Sequence, residues 1–225
     1  MTMMSFSLHL EDWRGWLADE AVPTPAPRHR ISAQPGSTLP AMLRRRLDAT
    51  GRATCDILGV LDPNADLPLV HASRHGDTTH TLEMLEALER GEPISPTRFS
   101  LSVHNAVLGV HSISRTHQRP LQALGACGDE FDAILHEAKG YLVEGHRAVV
   151  AVLSEGPLPP AYQGYTEHPG TACAVGMRLT LDRGRRLMAS DPVRGAHPTP
   201  LEVMAWLNGD APFLDGRHRW QLGAE

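Results

Sequence analysis

Aromatic residues are scarce, at 5% of the chain, so aliphatic side chains must supply most of any core. Base is not in excess: 21 lysines and arginines face 26 acids, a net charge of −5, which excludes the basic face of a nucleic-acid binder. Cysteine is rare. The three present, Cys55, Cys127 and Cys173, are odd in number and widely spaced, and make neither a disulfide framework nor a zinc set. The 13 histidines form no HExxH or CxxC-type pattern, and His104 and His111 lie two helical turns apart, too far for one metal ion. No metal and no other cofactor is expected. No apolar stretch reaches the length of a signal peptide or a membrane span, so the expected place is a reducing cytoplasm. The one basic run, Arg44 to Arg46, reads as the solvated face of a helix.

What is present suits one core. The 225 residues are 41% hydrophobic and 21% charged, as in ordinary globular chains. Residues 1–225 are expected to form a single domain, with a proline-rich loop at 22–40 and a C-terminal helix and tail over 185–225. Alternation predicts a strand at 5–10 and helical spacing predicts one helix over 40–61, kinked near Gly51. A buried strand at 67–73 precedes a helix capped by Asp77 or Thr78, striped by Leu82, Leu85 and Leu88 and stopped at Gly91. A loop and a helix over 105–115 lead to a strand at 120–126. Residues 128–145 form a strong helix with acids in its first turn, and 146–155 a continuous apolar strand. A strand at 171–181, a helix at 199–209 and a terminal strand or tail at 217–222 follow. Strands alternating with helices predict an α/β fold with a mostly parallel, helix-covered sheet.

The chemistry centres on LGACGDEFDAIL, residues 124–135. Cys127 falls where a predicted strand ends and a predicted helix begins, and unpaired N–H groups at a helix N-terminus lower a thiol pKa. Asp129 and Glu130 act in the opposite direction by placing carboxylates in the same turn. The residues alone leave both an activated nucleophile and a small residue at a tight turn open.

The elbow, with Gly125-Ala126-Cys127, and an upstream stretch carrying Ser95, Pro96, Asn105, Ala106 and Gly109 resemble the N-terminal half of a ketoacyl synthase of the thiolase fold. LPAMLRRRL, the run from VHASRHG to HNAVLGV, and EGPLPPAY are similar to a narrower group, the short ketosynthase-like chain length factors that accompany aryl-polyene and xanthomonadin-type pigment synthases. The resemblance spans about 5–180 and is densest over 68–116.

The resemblance implies a thiolase-like half-fold with a five-stranded, mostly parallel mixed sheet. An active ketosynthase carries two histidines, or a histidine and a lysine, on a second half-fold. Only 70 residues follow 155 (225 − 155), and His197 and His218 sit in no motif of that kind. No confident catalytic residue is therefore expected, Cys127 included, although chain length factors usually replace that cysteine. The implied role is non-catalytic: a heterodimer with a catalytic beta-ketoacyl synthase subunit, with acyl carrier protein reached through the complex, and no nucleic acid. Leu121, Gln122, Ala123, Leu124, Gly125 and Ala126 would lie at the subunit interface. Phe99, Leu101, Val103, His104, Asn105, Val107 and Leu108 would wall the partner's acyl tunnel. The alternative is a compact acyltransferase or ketoacyl synthase using Cys127, with His104 or His111 as base.

Overall fold

A computed structural model describes residues 8–18 and 29–224. The expected strand at 5–10 and loop at 22–40 lie partly outside the described residues.

Within them, the chain begins with β1 (Leu8–Leu17) and continues through α1 (Ala41–Arg44), α2 (Ala49–Leu61), β2 (Leu69–Ala72), α3 (Thr78–Glu89), α4 (Pro96–Leu101) and α5 (Ala106–Arg115). There follow β3 (Leu121–Leu124), α6 (Glu130–Val143), β4 (Val149–Glu155), β5 (Cys173–Thr180), β6 (Arg185–Pro192), α7 (Pro200–Asn208), β7 (Leu214–Asp215) and β8 (His218–Leu222). One sheet contains every strand, in the order β3-β2-β4-β5-β1-β6-β8-β7.

The α/β fold is as expected, but the sheet has eight strands rather than five, and only β2–β3 and β2–β4 pair in parallel. Helical crossovers force those two pairs parallel: α3, α4 and α5 carry the chain from β2 to β3, and α6 carries it back across β2 to β4. The remaining neighbours, from β4 out to β7, run antiparallel. The expected single helix over 40–61 is two. Asp48 accepts from the Gly51 N–H at 2.7 Å and starts α2 afresh, so the break falls at Arg45–Asp48 and Gly51 lies inside the first turn.

Helices cover both faces. On one side, Phe131, Ile134, Leu135 and Ala138 of α6 and Val203, Met204, Trp206 and Leu207 of α7 pack on Val70, Val149, Ala151 and Met177. Trp206 and Trp220 meet the Phe131 ring edge-on, each with centroids 6.0 Å apart. Asp132, 3% exposed, ties the end of the chain to α6: it accepts from the Trp220 indole N–H at 3.2 Å, the Arg217 N–H at 2.9 Å and His218 Nδ1 at 3.0 Å. On α7, Val203, Met204, Trp206 and Leu207 are inside while Leu201 and Ala205 are half-buried.

On the other side, Ile57, Leu58 and Leu61 of α2 and Leu108 of α5 pack on Leu69, Val150, Val152 and Ala174. The residue at 176 must be small, because a Cβ on Gly176 would lie 2.3 Å from Ile57 Cγ2. The predicted stripe of α3 is not a core stripe: Leu85 and Leu88 are 52% and 56% exposed and Met84 is the buried residue. No helix among the described residues is long and apolar enough to cross a membrane.

Candidate functional site

The parallel strands β2, β3 and β4 deliver their C-terminal ends to one rim of the sheet, where α/β folds place their ligands. Residues 125–129 turn there from β3 into α6, and Cys127 stands exposed on that turn with φ +52°, a conformation that strains a side-chain-bearing residue. The next residue, Gly128, has φ +112°.

The two N–H groups that flank Cys127 are already occupied. Glu130, 3% exposed, turns its carboxylate back to accept from the Ala126 N–H at 2.9 Å and from the Gly128 N–H at 3.0 Å, with Arg74 Nε 3.7 Å away. Two donors that could steady a thiolate or a developing oxyanion at Cys127 therefore hold the Glu130 carboxylate instead.

A second carboxylate lies beside it. Glu155, at the end of β4, is 5% exposed and accepts from the Arg74 N–H, while its Oε2 has no partner. Burial pushes this carboxyl up to about 7; its hydrogen bonds to the Arg74 and His75 N–H groups oppose the shift, and the nearby Glu130 charge adds to it. His197 closes the cluster. A Cβ on Gly128 would lie 2.4 Å from His197 Nδ1 and 2.8 Å from Arg74 Nη2, so only glycine fits. His197, which sits in no family motif in the sequence, is brought to the elbow by the fold. Pro198 and the Thr199–Glu202 capping box at the start of α7 fix its approach, and that box was the readable signal.

The expected tunnel-wall residues divide. Phe99 and Val103 are 62% and 50% exposed, and His104 and Asn105 are exposed beside them. Leu101 and Val107 are half-buried against Leu39, Leu47, Cys55 and Val110, whereas Leu108 is 1% exposed and serves the core. The His104 ring packs on Gly76 and faces Gly125, and its Nε2 lies 3.1 Å from the Ser73 carbonyl, so this histidine does reach the elbow. His111 does not act beside it. It packs toward His117 and the backbone of Cys55, and burial, with the charges of His117 and Arg115, lowers it to about 4. Cys55 and Cys173 are buried thiols pushed upward by desolvation, which leaves Cys127 as the exposed thiol. No cluster of three metal-ligating side chains occurs among the described residues.

Leu101, Val103, His104 and Val107 share a cavity of about 60 Å³ with Asp48, Thr50, His71, Ser73 and Ser154, enough for about four waters and far short of an acyl chain. The expected interface strand is an edge: β3 pairs only with β2, and Leu121 to Leu124 are all half-buried. Gly125 is exposed and Ala126 half-buried at its end.

Residues 13–205 match the family model described as beta-ketoacyl synthase, N-terminal domain. The chain belongs to that family. The beta-ketoacyl synthase fold extends over nearly all of it. A chain from the ketosynthase (ApeO) in complex with its chain length factor (ApeC) of Xenorhabdus doucetiae superposes with a TM-score of 0.78 at 24% identity, covering 97% of this chain and 99% of that one. A beta-ketoacyl synthase from Burkholderia phymatum superposes at 0.53 with 12% identity, over 93% of this chain and 71% of that one. The ishigamide ketosynthase/chain length factor gives 0.51 at 12% identity, over 81% and 65%. These likenesses establish the thiolase-like architecture. No match was found among curated protein sequences.

Proposed function

We propose that this beta-ketoacyl synthase relative is a non-catalytic chain length factor that pairs with a catalytic ketosynthase and shapes its acyl tunnel. The observation that carries the reading is the elbow: the nucleophile position is kept, but Glu130 fills the N–H groups on either side of Cys127. An acyl transfer at that sulfur would build negative charge against a buried carboxylate rather than against open donors.

Three further features support the pairing. The β3 edge offers unpaired backbone groups to a neighbouring sheet. Phe99, Val103, Leu85 and Leu88 expose an apolar surface along α3, α4 and the turn that follows, which a single chain gains nothing by leaving wet. A chain of nearly the same extent is found within the Xenorhabdus doucetiae complex, which supports a subunit of this size acting in such an assembly. The product class, an acyl-carrier-protein-bound polyene of the aryl-polyene or xanthomonadin type, follows from the resemblance of the stretch over 68–116.

Co-expression with candidate ketosynthases, followed by size-exclusion chromatography, tests the pairing. A stable one-to-one complex whose product length changes with substitutions at Phe99 or Val103 is expected. Independent elution of both chains contradicts the proposal. The second reading, acyl transfer by Cys127, is favoured by the arrival of His197 at Gly128. It requires the purified chain alone to form an acyl thioester from an acyl donor, and Cys127→Ala to abolish that adduct.

A further inference from the structure

A separate cavity, of about 270 Å³, lies between β1, the segment over 30–39, the C-terminal half of α2 and the last turns of α5. It shares no residue with the elbow or with the exposed apolar surface of α3 and α4. Its walls are pinned. Ile31 and Leu39 are buried, and their N–H groups bond the Gly15 and Gly36 carbonyls, each at 3.2 Å. Asp56, 6% exposed, accepts from the Gly36 N–H at 2.6 Å and from the Thr38 hydroxyl, which fastens the segment to α2.

The lining is one-sided in charge. Arg14, Arg30 and Arg115 reach it, against one carboxylate, Asp56, whose two oxygens are already engaged. Arg14 pairs with Asp12, and Arg115 donates through Nη2 to the Pro63 carbonyl at 2.6 Å. A guanidinium has five N–H groups, so these contacts orient the two heads without exhausting them. In the same wall, one deeply buried atom has no partner. His111 is 1% exposed, and its Nε2 bonds to nothing. Native proteins seldom leave such an atom unpaired. Burial, with the charges of His117 and Arg115, keeps this ring neutral at physiological pH.

These features select a ligand. A metal cation meets arginines and no spare carboxylate. A hydrocarbon leaves Nε2 unbonded and strips water from the guanidinium groups. A neutral ring presents either an N–H or a lone pair at Nε2. A carboxylate, bare at neutral pH, answers only the N–H. A phosphate monoester exchanges near neutral pH between one proton and none, so it answers both, and its oxygens suit the forked donors of arginine. Ile31, Leu39 and Val60 supply hydrocarbon beside that polar end.

We infer that the cavity between the segment over 30–39, α2 and α5 binds the phosphate monoester of a small apolar molecule, with the phosphate held by Arg30, Arg115 and His111 and the body on Ile31, Leu39 and Val60.

The test uses the full chain alone with four probes: cyclohexyl phosphate, inorganic phosphate, cyclohexanecarboxylate and cyclohexanol. Calorimetry reads affinity, and NMR reads the His111 ring nitrogens in the native chain, which needs no substitution at a buried position. Cyclohexyl phosphate is expected to shift the Nε2 resonance and to bind about tenfold or more tightly than each of the other three. Arg30→Gln and Arg115→Gln, both at exposed positions, should each weaken it about tenfold or more, because each removes a charged donor. Cyclohexanol binding as tightly as the ester, or affinity unchanged in either arginine variant, overturns the site. Equal affinity for the carboxylate overturns the phosphate assignment, and equal affinity for inorganic phosphate overturns the apolar body. An ester that binds while the His111 ring stays unmoved overturns its placement in this cavity.

Discussion

The two helical coverings of the sheet differ in how they are finished. On the α6 and α7 side, Trp206 and Trp220 close on Phe131, and Asp132 fastens the last strand through its three hydrogen bonds. On the side of α3 and α4, Leu85, Leu88, Phe99 and Val103 each stand at least half exposed. The first surface is sealed by residues from the same chain. The second has the same apolar character and no covering among the described residues.

The largest expected effect comes from opening the sealed face. Trp220→Ala should cost about 3–5 kcal/mol in chemical denaturation, because it removes a fully buried indole and strips Asp132 of one donor. If the comparison holds, that variant loses stability while Phe99→Asp does not.

Next is the buried acid beneath the elbow. Glu155 titrates at about 7 in the fold against an ordinary value of 4.5, so the folded state holds the proton more tightly than the unfolded one between these values. Its contribution is fully present below pH 4.5 and is lost as pH rises through about 7. His71 and His111, lowered to about 4 from 6.5, act in reverse: their contribution is present above 6.5 and lost as pH falls through about 4. Glu155→Gln cannot ionise. It should gain stability relative to the native chain as pH is raised from 4.5 to 8, by on the order of 3 kcal/mol, as measured by denaturation at both ends.

On the open face, Phe99→Asp and Leu88→Asp should change stability by less than about 0.5 kcal/mol yet weaken a ketosynthase heterodimer by more than about 1 kcal/mol, read by titration of one subunit into the other. A loss of folding stability in these variants would place the two residues in the core and erase the distinction. The smallest effect is at the elbow: Cys127→Gly should stabilise by about 0.5–1 kcal/mol, since φ +52° costs glycine little.

The sequence carried much of this, unevenly. The apolar run of β4 is buried on both faces, as its unbroken hydrophobicity requires, and α6 forms within the helix expected over 128–145, with acids in its first turn. β6 was not legible: it opens on two arginines and pairs with β1 over three residues, so no alternation marks it. The stripe of α3 was legible as an apolar helix face, but periodicity alone could not tell that Leu85 and Leu88 stay exposed. At the site, Cys127 and the turn around it could be read locally. The hold of Glu130 on the elbow N–H groups needed the backbone, and the approach of His197 needed the fold, since it stands 70 positions beyond Cys127 (197 − 127).

The seclusion of Cys55 and Cys173 turns Cys127 into an address for chemistry from outside. A maleimide dye given to the folded chain should attach at that one sulfur, next to the strand edge. Its fluorescence then becomes an optical gauge of when another polypeptide settles over the turn.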